Sequence, residues 1–136
     1  MTGVQTCALP IYYCELHLKT TKELGDRTGE GQAYGNLGLS YHGLADFRKA
    51  IHYHELHLGI VKETGDRHTE GNVYGALGNS YRHLGELKKA IHYQKLSLEV
   101  AKEVGNKTGQ GIVYGYLGNS YANLGDFRKA DRKSVV

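Results

Sequence analysis

The chain has 136 residues, 17 Lys and Arg against 14 Asp and Glu, a net charge of +3 and 40% hydrophobic residues. That is enough chain to bury one core, and no apolar run approaches the ~18 residues a membrane span needs. The charge is too mild to argue for nucleic acid, and two cysteines cannot build a disulfide framework.

The remaining skew, 19 Gly and 11 Tyr with one Pro and no Trp, signals an internal repeat. Residues 12–50, 52–90 and 92–130 align without a gap at a spacing of 40. Tyr74, Gly75, Leu77, Gly78, Ser80 and Tyr81 are among the positions identical in all three copies. Two segments break the pattern. Residues 1–11 and 131–136 read as translated sequencing-library adapter, and we set them apart as artefact. The array is then residues 12–130, a fragment of a longer array of about three 40-residue units.

In chain order the predicted helices fall near 12–24, 28–43, 46–64, 68–83, 86–104 and 108–123, followed by a stub from 126. In residues 67–84, Val73, Tyr74, Leu77, Gly78, Tyr81 and Leu84 follow i, i+3, i+4, i+7 spacing and make one buried face. Gly85 ends that helix. Asp46, Glu86 and Asp126 stand at the next helix starts, the two aspartates as N-caps. In 86–104, Leu87, Ala90, Ile91, Gln94, Leu98 and Ala101 form one stripe, with Tyr93 and Leu96 on another. A helix apolar on two sides packs against two neighbours. Gly65 and Gly105 stop these second helices, and Asp66 or Asn106 caps the helix that follows. Each unit is a helical hairpin that cannot bury its face alone, so stacked hairpins share a core and build a solenoid.

The pattern Tyr74-x-x-Leu77-Gly78-x-x-Tyr81, followed by Ala90, resembles the tetratricopeptide repeat, with Tyr where many repeats carry Trp. The equivalents are Tyr34, Leu37, Gly38, Tyr41 and Ala50, then Tyr114, Leu117, Gly118, Tyr121 and Ala130. The resemblance implies an all-α, right-handed superhelical solenoid of antiparallel helix hairpins. The long period, Leu77-Gly78-Asn79, Leu117-Gly118-Asn119 and the Gly65-Asp66-Arg67 junction are similar to the LGN/Pins adaptor family. The first copy departs from it with Leu37-Gly38-Leu39. Similar long repeats accompany caspase-like domains in bacterial proteins.

In such a solenoid the first helix of each hairpin lines the concave groove. Removing the core stripe leaves, as peptide-binding candidates, Asn36 and His42 from the first copy. The second contributes Asn72, Asn79, Arg82 and His83, and the third Tyr116, Asn119 and Asn123. The resemblance implies that Asn79 and Asn119 hydrogen-bond a peptide backbone, since Asn offers donor and acceptor. Arg82 would pair a carboxylate. The mid-helix glycines Gly38, Gly78 and Gly118 read as close-approach positions. Gly35, Gly75 and Gly115 fit either repeat packing or a peptide backbone.

The eight histidines repeat with the array, as His17 with His57 and His52 with His92 show, and assign no metal. Cys14 aligns with His54 and Gln94 and reads as an ordinary thiol. Nothing points to a catalytic group or a cofactor. Gly29-Glu30-Gly31 follows no strand and lacks a dinucleotide loop's spacing. The expectation is a cytoplasmic, non-enzymatic scaffold that holds an extended peptide with acidic or amide groups. It has no nucleic-acid partner and no membrane span, and the sequence leaves its oligomeric state open. The alternative is the regulatory arm of a larger enzyme, such as a caspase-like protease.

Overall fold

The computed structural model describes the backbone of residues 3–135 and the side chains of residues 9–125. Residues 1, 2 and 136, and the side chains of 131–136 assigned above to adapter, lie outside the described residues. Six helices follow one another, with no strand among the described residues: α1 (Gly3–Leu24), α2 (Arg27–Gly43), α3 (Phe47–Thr64), α4 (Arg67–His83), α5 (Leu87–Glu103) and α6 (Lys107–Val135). Consecutive helices pack on each other, most extensively within the hairpins α2–α3 and α4–α5. The architecture is an all-α solenoid of helix hairpins.

The helix starts are set by side-chain caps. Asp26, Asp46 and Asp66 accept the backbone N–H of Gly29, Lys49 and Thr69 at 2.9, 3.3 and 3.1 Å. Asn106 accepts that of Gly109 at 2.9 Å. Each satisfies one of the donors orphaned at a helix start. Glu86 occupies the same position before α5 but makes no side-chain cap bond. The turns need one residue in the left-handed region. Gly85 supplies it between α4 and α5 at φ 81°, whereas Ala45 must adopt φ 60° in the equivalent turn between α2 and α3. A Cβ makes that conformation cost about 1 kcal/mol.

The hairpins close on tyrosines and glycines. Tyr53 of α3 stacks on Tyr41 at 5.6 Å and lies 6.2 Å from Tyr34. Tyr93 of α5 repeats this with Tyr81 at 5.6 Å and Tyr74 at 6.1 Å. Lys49 and Lys89 cover the outer faces of Tyr41 and Tyr81 at 5.1 and 5.3 Å. The closest helix approach runs through Gly38 and Gly78. A Cβ at Gly38 would meet the His54 ring at 2.5 Å, and one at Gly78 would meet Gln94 Cγ at 2.7 Å and the Ala90 carbonyl at 3.2 Å. Between hairpins, Ile51, Val73, Leu77, Tyr81 and Ala90 form one buried cluster, with Leu58, Leu84 and Tyr93 packed against it.

Three expectations are corrected. On α5 the buried stripe contains Ser97 and Val100, and Leu98 is only half-buried. The Ser97 hydroxyl donates to the Gly71 carbonyl at 2.8 Å, which holds the small side chain inward. The first helix begins at Gly3, not near residue 12, and carries Pro10 inside. Leu9, Pro10 and Ile11 offer no capping side chain to start a helix at residue 12. Finally, α6 runs unbroken to Val135, with no turn at Gly125 and no separate stub. The equivalents of Ile51 and Tyr53, which pin α3 back onto its neighbours, are Asp131 and Lys133, so no apolar face rewards a fold-back there. Accordingly Tyr114 is 53% exposed where Tyr74 is 6% exposed, and Gly118 meets no close neighbour.

Candidate functional site

A cleft of about 310 Å³ opens between α2, α4, α5 and α6. It exists because the first helices of the hairpins line one side of the solenoid, and their small residues leave room there. Gly71, Gly75 and Ala76 on α4 form part of its wall. Its apolar lining comes from Leu39, Val100, Val104, Ile112 and Val113. Polar groups converge on it from His42, Asn72, Asn79 and Asn106, and Tyr116 adds an aromatic edge. No lining residue is Asp, Glu, Lys or Arg. The site is therefore an apolar slot with amide and imidazole groups at its margin, the composition of a binding cleft.

The structure brings four of the nine candidate residues into this cleft: His42, Asn72, Asn79 and Tyr116. Asn36, His83, Asn119 and Asn123 are exposed and do not line it. Arg82 is half-buried and also stands outside the lining. Asn79 Oδ1 and Arg82 Nε are both buried without a hydrogen-bond partner. Such groups ordinarily find one, since an unmet buried polar atom costs about 1–3 kcal/mol. The second helix α5 and its C-cap contribute Ser97, Val100, Ala101 and Val104, of which the sequence reading had placed only Ala101, in the packing stripe. The one signal that could have found them is the glycine at 71: with no side chain there, Val100 shows through between α4 and α6.

Gly35 resolves toward packing, while Gly75 borders both Ser97 and the cleft. A Cβ at Gly35 would lie 2.7 Å from the His57 ring and one at Gly75 would lie 3.4 Å from Ser97 Oγ. Gly75 lines the cleft as well. His54 fills the space beside Gly38, is only 3% exposed and reaches the cleft wall. Burial, with His57 and His42 nearby, lowers its pKa to about 4. Burial also lowers His42, which feels the charges of His83 and Arg82, and it lowers His57 despite Asp66. These three imidazoles are therefore held toward the uncharged form. Burial raises the Cys14 thiol, against a hydrogen bond to Ser40, so it is not a poised nucleophile. Among the described residues no group of three His, Cys, Asp or Glu could hold a metal, and no helix is long and apolar enough to cross a membrane.

Stacked helix hairpins around a cleft define the chain as a helical-repeat protein. Its family follows from comparison with known proteins. Two family profiles, each described as tetratricopeptide repeat, match residues 33–67 and 69–132. The chain is built of tetratricopeptide repeats. No curated protein matches it in sequence. Solved structures share the fold at low identity. The tetratricopeptide domain of Arabidopsis FLU is 24% identical over 78% of this chain and 89% of that one, with a TM-score of 0.70. BtubC from P. vanneervenii is 22% identical over 90% of this chain, with a TM-score of 0.77. A signal transduction ATPase with a tetratricopeptide repeat sensor from Pyrococcus horikoshii is 21% identical over 97% of this chain, with a TM-score of 0.73. The chain spans 51% of BtubC and 23% of the ATPase.

Proposed function

We propose that the cleft holds an extended peptide and that the chain is a protein-interaction scaffold without chemistry of its own. The observation that carries this reading is Asn79. It lines the cleft with a buried amide oxygen that has no partner, and a peptide N–H is the donor it lacks. Asn72 and Asn106 add amide groups along the same wall, while Val100, Val104 and Ile112 offer apolar contact to an alternate side chain. Affinity for one such segment is roughly micromolar, about −8 kcal/mol. The array in this reading is residues 12–130. The Leu-Gly-Asn tracts support an adaptor of the LGN/Pins kind. A second reading, a sensing arm on a larger enzyme, draws on the likeness to the ATPase whose repeats are described as a sensor.

The test is peptide display against the chain followed by titration of the selected peptides. Ala76→Arg projects a long side chain into the cleft from α4 and should reduce their affinity at least tenfold while circular dichroism stays that of the parent. Selected peptides that bind Ala76→Arg as well as the parent would place the interaction elsewhere and remove the groove.

A further inference from the structure

The two complete hairpins define what a first helix presents to its second. Gly35 and Gly38 of α2 face His57 and His54 of α3, and Gly75 and Gly78 of α4 face Ser97 and Gln94 of α5. Beside the glycines, Tyr53 meets Tyr34 and Tyr41, and Tyr93 meets Tyr74 and Tyr81. At the open end Arg27 pairs with Glu63 and Arg67 with Glu103, each at 2.8 Å. Helix α6 carries the same face at the same spacing of 40: Tyr114, Gly115, Gly118 and Tyr121, with Lys107 at the arginine position. Among the described residues nothing covers it. A Cβ at Gly115 or Gly118 would meet no atom within 4 Å, and Tyr121 is 47% exposed where Tyr81 is 9% exposed.

The same chain holds the complementary half. By register α1 is a second helix, equivalent to α3 and α5, and it packs extensively only on α2. Its Tyr13 aligns with Tyr53 and Tyr93, Cys14 with His54 and Gln94, His17 with His57 and Ser97, and Glu23 with Glu63 and Glu103. Tyr13 is 62% exposed, and His17 and Glu23 are exposed as well. The two free faces match pair by pair. Gly115 with His17 repeats Gly35 with His57, and Tyr114 and Tyr121 with Tyr13 repeat the tyrosine stack. Lys107 with Glu23 repeats the charge signs of Arg27 with Glu63. Beside Gly118 the position of His54 and Gln94 is taken by the smaller Cys14, so the close approach meets no bulk.

We propose that α6 of one copy and α1 of a second copy form an intermolecular hairpin, so that the chain associates head to tail and continues its solenoid from copy to copy. The two surfaces differ, which makes the interface heterologous. Helices α1 and α6 stand at opposite ends of the stack, so a copy bound at one end leaves the other end free and assembly grows with concentration. The driving force is burial of exposed aromatic surface on Tyr13, Tyr114 and Tyr121. Leu9, also exposed, takes the place of Lys49 and Lys89, which cover Tyr41 and Tyr81, and would lie over Tyr121. Lys107 and Glu23 are both exposed, so their pair fixes register more than affinity. Tyr114, Gly115, Gly118 and Tyr121 do not line the cleft, and self-association and peptide binding use different faces of α6.

Sedimentation equilibrium of the full chain over a range of concentrations tests this. The weight-average mass should rise with concentration and pass that of two chains. Two variants then block one face each. Gly118→Arg places a long side chain on the α6 face where the chain itself offers no neighbour, and Tyr13→Arg does the same at an exposed position of α1. Each variant alone should remain a single chain with the circular dichroism of the parent. An equimolar mixture should form pairs and nothing larger, because each variant retains the face that the other lacks. A parent that stays single would overturn the proposal, as would folded variants that stay single when mixed. Pairs that survive Tyr13→Arg but not Gly118→Arg would overturn it in favour of α6 meeting a second α6. Where an arginine unfolds the chain, charge exchange at low salt decides. Lys107→Glu should weaken association, and Glu23→Lys in the same chain should restore it; a double variant as weak as the single one would overturn the pairing.

Discussion

The hairpins α2–α3 and α4–α5 are built to one plan from different polar residues. Both stack a tyrosine of the second helix on tyrosines of the first, and both tie their open end with an arginine held by two glutamates. Between the helices, however, the first places His54 and His57 where the second places Gln94 and Ser97. His54 packs against Gly38 as Gln94 packs against Gly78. The Gln94 amide oxygen also accepts the Ser120 hydroxyl at 2.8 Å, and Ser97 bonds the Gly71 carbonyl. The lesson is that this backbone gap specifies volume and a polar tip but not charge. One hairpin has thereby become titratable and the other has not.

The largest expected effect tests that difference directly. His54 titrates near 4 in the fold, against an ordinary 6.5. The unfolded chain binds the proton first, so stability is full above pH 6.5 and is lost as pH falls from 6.5 to about 4. The loss at the acid end is about 3 kcal/mol for this group, since each pKa unit is worth 1.36 kcal/mol. His57, also lowered, acts in the same direction. We expect His54→Gln to flatten the profile and Gln94→His to make the second hairpin acid-sensitive. Hydrogen exchange resolved by helix measures this, because repeat arrays open locally. Equal acid sensitivity of the two hairpins in the parent chain would refute the comparison.

A smaller effect concerns the close approach. Gly→Ala in a helix gains about 1 kcal/mol of propensity, but overpacking costs about 1–3 kcal/mol. At Gly78 the intruding Cβ meets Gln94 Cγ at 2.7 Å and the Ala90 backbone carbonyl at 3.2 Å, and at Gly38 its three nearest neighbours are atoms of the His54 ring at 2.5–2.8 Å. Gly38→Ala and Gly78→Ala should both lower the thermal midpoint. Truncating the facing side chain, His54→Ala, should rescue the growth at Gly38 in a double-mutant cycle. Gln94→Ala should rescue Gly78→Ala only in part.

The smallest effects sit at the turns, where each hairpin lacks what the other has. Ala45→Gly should stabilise the first by about 0.5–1 kcal/mol by relieving its positive φ. Glu86→Asp should stabilise the second by a similar amount by supplying the missing cap. Thermal melts of the two single variants and the double variant check both, and the gains should add.

Much of this was legible in the chain itself. The period of 40, the caps at Asp46, Asp66 and Asn106 and the tyrosine–glycine signature rest on local rules, because a helix start needs a nearby oxygen and a turn needs a residue that tolerates positive φ. The same periodicity placed His42, Asn72, Asn79 and Tyr116 on the cleft. It could not select among the other candidates. Asn119 and Asn123 lie on the same helix face as Tyr116, and whether a face position borders a cavity depends on what the next element covers.

What the sequence by itself determined was the repeat unit, its helices and the faces they bury, since these follow from hydrophobic period and backbone chemistry within about 40 residues. Only the tertiary structure decided that Val100 and Val104 of a second helix would floor the cleft. It also decided that Ser97 rather than Leu98 would turn inward, and that Phe47 would gather His42 and His83 from two repeats. Those outcomes depend on the angle at which one hairpin stacks on the next. That angle is set by side chains meeting across long separations in the chain, so no local pattern records it.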